Sequence, residues 1–157
     1  MLKTTTSRTA PAPTQKAFGH WLHAYEWNHF VTATCETERS VAIITRHFVN
    51  GFVRRAAFEA HRFVPWFAVI EKGKGGRLHV HALVGGTGLV SGAQLGRCWK
   101  LGNCHAVEYD PALGAAYYVT KDVQDRALWW DVSRKWLPLA GRPVTYGDTA
   151  ERTSGAD

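Results

Sequence analysis

The sequence predicts an α+β domain. A mainly antiparallel sheet of the split β-α-β kind would carry helices on one face and leave the other open. Three observations predict this. Segments with strand and helix periodicity alternate in the order β-α-β-β-α-β-α. Two consecutive strands are separated only by Lys72-Gly73-Lys74-Gly75-Gly76, a glycine-rich hairpin turn. The 157 residues, 45% hydrophobic and 12% aromatic, suit one domain with a real core.

Each element has its own signal. Residues 1 to about 16 are rich in Thr, Ser, Ala and Pro and are expected to be disordered. Phe30 to Cys35 has the composition of a strand. From Glu38 to His61, Val41, Ile44, Phe48 and Phe52 recur at helical steps, with Gly51 weakening the middle. Trp66 to Glu71 and Arg77 to Val84 are the two strands of the hairpin. A short helix is expected from Ser91 to Trp99 and a strand from His105 to Tyr109. Pro111 then opens a helix to about Gln124, at the first-turn position that proline tolerates. The aromatic and basic segment Trp129 to Trp136 has no readable element, and the residues from 145 to 157 read as a flexible tail. The folded domain is thus expected over residues 17–144.

The formal net charge of +6 favours an anionic partner such as nucleic acid, with simple solubility as the plainer explanation. Cys35, Cys98 and Cys104 are an odd number without a disulfide framework, which points to a reducing compartment. No signal peptide is visible, and no apolar run approaches the roughly 18 residues of a membrane span. A soluble, cytoplasmic protein without membrane partners is the expectation. The absence of G-x-x-x-x-G-K-[ST] argues against a nucleotide-driven motor.

The chemistry concentrates in three places. On the strand Arg77 to Val84, His79 and His81 are two residues apart and share one face, while Leu78, Val80, Ala82 and Val84 share the other. Paired imidazoles on an open sheet face are either unliganded surface histidines or metal ligands. Glu71 ends the preceding strand, and the hairpin brings it within cross-strand reach, completing a two-histidine, one-carboxylate donor set. Such a set suits Mg²⁺, Mn²⁺ or Zn²⁺, and formally non-haem Fe(II). The glycine run Gly85 to Gly88 after the histidines argues against a cupin, and the lack of His-x-Glu with Pro-Cys-x-x-Cys argues against a zinc deaminase. Cys98, Cys104 and His105 are too irregularly spaced for a zinc knuckle, so buried thiols are the default there.

The third place is Ala115 to Lys121. Ala112, Ala116, Val119 and Val123 form the apolar stripe of the expected helix, with Tyr118 on its flank and Lys121 at i+3. Tyr117 also reaches Lys121, at i+4, from nearly opposite the stripe. Aromatic packing explains such residues equally well. As a nucleophile, a tyrosine with a pKa near 10 has roughly one phenolate in a thousand at neutral pH, about 4 kcal/mol uphill. A nearby ammonium and a metal-polarised phosphate are the aids it would need.

Together these elements resemble the HUH endonucleases, specifically the rolling-circle replication initiators (Rep proteins). Phe30 to Cys35 looks like their first motif, His79-Val80-His81 with Glu71 like their metal motif, and Tyr118-Val119-Thr120-Lys121 like their Tyr-x-x-Lys motif. The resemblance covers about Asn28 to Gln124. It implies a ferredoxin-like, five-stranded antiparallel sheet with flanking helices. It implies metal ligation by His79, His81 and Glu71 with Mg²⁺ or Mn²⁺, and a nucleophile at Tyr118 aided by Lys121, with Tyr117 as the alternative. Where some members carry a second nucleophile, this chain has Asp122. The implied substrate is single-stranded DNA at an origin or hairpin, nicked and rejoined through a 5′-phosphotyrosine. Many members also carry a helicase domain and this sequence has none, so the resemblance implies either a small initiator or an excised nuclease domain, with a host helicase as a further partner. Lys72, Lys74 and Arg77, beside the metal motif, could hold backbone phosphates or be a solvated basic turn. Competing readings are a single-tyrosine HUH transposase or relaxase, a non-catalytic single-strand-binding module, and a metal-dependent oxygenase.

Overall fold

A computed structural model describes residues 13–121, 123 and 126–133. The predicted α+β architecture is present. Five strands, β1 (His29–Thr34), β2 (Trp66–Lys72), β3 (Leu78–Val84), β4 (Cys104–Glu108) and β5 (Trp129–Val132), form one sheet in the order β4-β1-β3-β2-β5. Every neighbouring pair is antiparallel. The hairpin β2–β3 closes as expected: the Gly73 N–H donates to Arg77 O at 2.8 Å, and Gly76 takes the left-handed conformation (φ 81°) that the turn needs.

One face of the sheet packs against helices laid down between the strands. The helix expected over 38–61 runs as α2 (Val41–His47), a π-helical segment (Phe48–Phe52) and α3 (Val53–Ala60). The Ser40 hydroxyl accepts from Ile43 N–H to cap its start. The π segment contains Gly51, and within it Phe48 and Phe52 stack at 5.4 Å. These rings, with Ile44 and Ala56, bury against Val31, Ala33, Ala68, Ile70, Val80, Ala82 and Val84. A shorter helix, α4 (Gly92–Arg97), covers the β4 side of the same face and opens on a capping box of Ser91 and Gln94.

The second face departs from expectation. It is not open: α1 (Pro13–His23) and α5 (Ala115–Thr120) cover it, packing Leu22, Ala116 and Val119 on Phe67, Val69 and Leu83. Cover on both sides explains why Trp66 to Ile70 is a continuous buried run rather than an alternating one. α1 begins inside the stretch expected to be disordered. Its apolar residues Phe18, Trp21 and Leu22, with Tyr25 just beyond, have helical spacing and face the second core. Residues 1–12 lie outside the described residues, as do Asp122, Gln124 and the tail from 145.

Two further boundaries move. The helix expected from Pro111 is broken: Pro111–Leu113 is a single 3₁₀ turn, Gly114 sits at φ 71°, and α5 starts after it. The Asp110 carboxylate accepts from Ala112 N–H and caps that turn. Ala112 is accordingly exposed and not part of the apolar stripe. The segment beginning at Trp129 is β5, an edge strand paired to β2, while residues 134–136 lie outside the described residues.

Candidate active site

The hairpin register sets the site. Glu71 pairs directly with His79, and Val69 with His81. On the other side of β3, Thr32 pairs with His81 and Thr34 with His79. Period two then places Glu71, His79, His81 and Thr32 on the second face, beside the region covered by α1 and α5. The Glu71 carboxylate lies 3.0 Å from His81 Nε2. The two histidine rings are parallel, with centroids 6.2 Å apart. His79 directs Nε2 onto Gly73, so closely that any side chain at Gly73 would collide with the ring.

His81 is 7% exposed. Burial first, then the charges of Lys121 and His79, lowers its pKa to about 4. It is therefore neutral near pH 7, and its contact with Glu71 is a hydrogen bond rather than an ion pair. The Thr32 hydroxyl lies 3.2 Å from His81 Nδ1. With Nε2–H donating to the Glu71 carboxylate, the Thr32 hydroxyl donates to Nδ1 and holds the ring in that tautomer. Phe30 stacks on the same ring at 6.0 Å. Neither Thr32 nor Phe30 was singled out from sequence. Their signal was the period-two alternation of a strand adjacent to the histidines, which becomes visible only once the pairing β1–β3 is known.

The donor chemistry suits a divalent ion: two imidazoles, one of them buried, neutral and oriented, and a carboxylate beside them. Among the described residues, however, no three such side chains stand as an assembled metal cage. Glu71 and His81 converge; His79 would have to turn off Gly73 to join them.

The adjacent tyrosines have different surroundings. Tyr118 is 44% exposed, and its ring meets His81 edge-on at 5.4 Å and Phe30 at 6.0 Å. Lys121 Nζ lies 3.7 Å from the centre of the Tyr118 ring and 3.8 Å from a Glu71 oxygen. Tyr117, expected nearly opposite the apolar stripe, is half-buried beneath α1. Its ring lies against Gly19 and meets His20 and His23, and Gln15 Nε2 donates to its carbonyl at 3.1 Å. α5 thus turns Tyr118 toward the histidines and Tyr117 away from them. The α1 residues that hold Tyr117 were not anticipated, because the helix itself was not.

Lys72, Lys74 and Arg77 are exposed around the hairpin turn next to Glu71 and His79. Cys98 and Cys104 do not join the site, whereas His105 pairs with Thr32 and so stands exposed on the same sheet face, on the edge strand β4. Burial raises the Cys98 and Cys104 thiol pKa values, that of Cys104 to about 12, which makes them inert. Among the described residues, no helix is long and apolar enough to cross a membrane.

The family model of the replication-associated protein ORF2 type matches residues 28–146, more than half of the chain. Comparison with curated proteins and with solved structures gave no match.

Proposed function

The chain belongs to the ORF2-type family of replication-associated proteins, and from this we propose that it nicks and rejoins single-stranded DNA to initiate rolling-circle replication, with Tyr118 as nucleophile. The observation that carries the reading is the environment of Tyr118: exposed, edge-on to His81 and capped by Lys121. Adjacent Tyr117 is held under α1.

In the proposed reaction a DNA strand enters at the polar end of the second face. Lys72, Lys74 and Arg77 would hold its backbone phosphates. The phenol of Tyr118 loses its proton and its oxygen bonds to phosphorus. The bond from phosphorus to the 3′ oxygen breaks, and that oxygen takes up a proton to leave as a 3′-hydroxyl. The product is a 5′-phosphotyrosine, and because one phosphoester replaces another, rejoining needs no nucleotide hydrolysis. Lys121 would balance the negative charge that passes from phenolate to phosphate. A divalent cation, Mg²⁺ or Mn²⁺, held by Glu71, His79 and His81 would supply polarisation of the scissile phosphate. Thr32 and Phe30 would fix the His81 ring for that purpose.

The test is a denaturing gel after incubation with a panel of origin-like single-stranded oligonucleotides and Mn²⁺. A covalent protein–DNA adduct, lost in Tyr118→Phe and kept in Tyr117→Phe, is expected. The reverse pattern would move the nucleophile to Tyr117. Tight binding without any adduct would leave a binding module. Cleavage that persists in EDTA would remove the metal from the reaction.

A further inference from the structure

On the side of the sheet away from the histidines, α3 and α4 border a groove of ≈ 510 Å³. Its walls carry Arg54 and Arg55 from α3, Arg97 from the end of α4, and Lys100 just beyond, against one carboxylate, Glu59. All four cations are exposed. Three of them converge on one point: the buried Cys98 thiol, which also lines the groove and is raised by burial and then by Glu59, feels opposing pulls from Lys100, Arg55 and Arg97. Arg55 is fixed, with Nη1 donating to Cys98 O at 3.2 Å. Phe58 also lines the groove and is 75% exposed, an unusual position for a large aromatic ring. The face to which α3 and α4 belong is otherwise closed by an aliphatic and aromatic core, so none of these side chains serves the histidine site.

We propose that this groove is a second nucleic-acid site, taking the sugar-phosphate backbone of a DNA segment that flanks the scissile strand. Concentrated cations in a concave, low-dielectric wall focus potential on an anion. Guanidinium groups pair with phosphate oxygens in a fork geometry. Phe58 offers a stacking platform for an unpaired base. With the nicking residues on the opposite face, a DNA held here would be anchored by one segment while another is cut. The inference needs DNA binding but no step of the nicking reaction.

Fluorescence anisotropy tests it, using a labelled hairpin with a duplex stem and a short single-stranded oligonucleotide, without added metal and across a salt series. The variant is Arg54→Gln/Arg97→Gln/Lys100→Gln, which leaves Arg55 and its bond to Cys98 intact. Arg39→Gln/Arg46→Gln/Arg62→Gln removes the same charge at exposed positions outside the groove. In the groove variant, affinity is expected to fall at least about tenfold and the salt slope to become shallower by roughly two to three phosphate equivalents. The control variant should change much less. A loss seen mainly with the hairpin assigns the groove to duplex stem. A loss shared by the short oligonucleotide, with a further drop of about tenfold in Phe58→Ala, assigns it to unpaired strand. Equal effects in groove and control variants, or unchanged affinity and slope in the groove variant, would overturn the proposal. So would binding of a poly-glutamate peptide that the groove variant loses while DNA binding stays intact. Adduct formation on an oligonucleotide too short to leave the histidine face should persist in the groove variant, which separates failure of this site from failure of the nicking reading.

Discussion

The two faces of this sheet are built for different ends. Under α2, the π segment and α3, one face is lined by apolar side chains, among them the fully buried Ile44, Phe48, Phe52, Val80 and Val84. The other face starts in the same way, with Leu22, Phe67, Val69 and Leu83, and then changes character within one strand. At the hairpin end it presents Glu71, His79, His81 and Thr32, with Tyr118 and Lys121 leaning in from α5. Under the proposed function, a residue on the first face contributes through packing and a residue at the polar end of the second through chemistry. Substitutions on the two faces should therefore separate stability from activity.

The largest separation is expected between Phe52→Ala and Tyr118→Phe. Phe52 has no exposure and stacks on Phe48, so truncation should cost about 3–5 kcal/mol in a urea titration. The Tyr118 hydroxyl is on an exposed ring, and its removal should leave the midpoint within about 0.5 kcal/mol of the parent. A large stability loss from Tyr118→Phe would mean that its ring is structural and the division between faces is false.

How much of this contrast is legible in sequence depends on where the information lies. The hairpin was legible because its signals are local: a glycine-rich turn, β-branched and aromatic strands, and a register short enough to place Glu71 beside His79. Which of the two rings, Tyr117 or Tyr118, faces His81 was not settled by local signals, since both reach Lys121 along the helix. It turns on α1, far earlier in the chain, whose Phe18, Trp21 and Leu22 had helical spacing but stood beside a Pro- and Thr-rich stretch. Missing α1 also made the second face look open. The break at Gly114 was missed because glycine is permitted inside a helix as well as at a left-handed turn, and only the observed φ decides. The edge strand at Trp129 is four residues long and owes its state to pairing with β2, a tertiary cause.

The next effect sharpens the role of α1. At Gly19 an added methyl would overlap the Tyr117 ring. Overpacking of this kind costs about 1–3 kcal/mol, partly offset by the roughly 1 kcal/mol that alanine gains over glycine in a helix. Gly19→Ala is expected to lower stability by up to about 2 kcal/mol on that balance. Because the displaced ring belongs to the same short helix as Tyr118, it should also reduce adduct yield at unchanged DNA affinity. Unchanged yield would show that α5 holds Tyr118 without help from α1.

A smaller effect is expected at Thr32. Replacement by valine keeps the shape of the side chain and removes the hydroxyl at His81 Nδ1. Stability should change by no more than about 1 kcal/mol. Mn²⁺ affinity, measured calorimetrically, should weaken about tenfold if the hydroxyl orients a metal-holding ring. Equal affinity in Thr32→Val would show that stacking on Phe30 alone suffices to fix His81.

The smallest effect lies on the packed face, whose buried histidine in β1 tests whether that face is purely structural. His29 is 2% exposed, and its Nδ1 lies 2.7 Å from Thr87 Oγ1. Burial lowers its pKa below the ordinary value of 6.5, against the opposing pull of Glu108. In the unfolded chain the ring binds a proton near pH 6.5; in the folded chain it does so only at lower pH. Between those two values the unfolded state holds more protons, so stability is present above pH 6.5 and is lost as pH falls toward the lowered folded value. His81, lowered to about 4, adds to the same trend over a wider window, and His47, lowered by burial and then by Arg55 and Arg46, adds a further share. Denaturant titrations of the parent and His29→Gln between about pH 7.5 and 5 isolate the contribution of His29, because the variant keeps the other two histidines. The variant should lose less stability over that range than the parent does, whatever its starting value. Parallel slopes would place the acid sensitivity on the other histidines and leave His29 a silent packing residue, which would make the division between the two faces stricter than the burial of that imidazole implies.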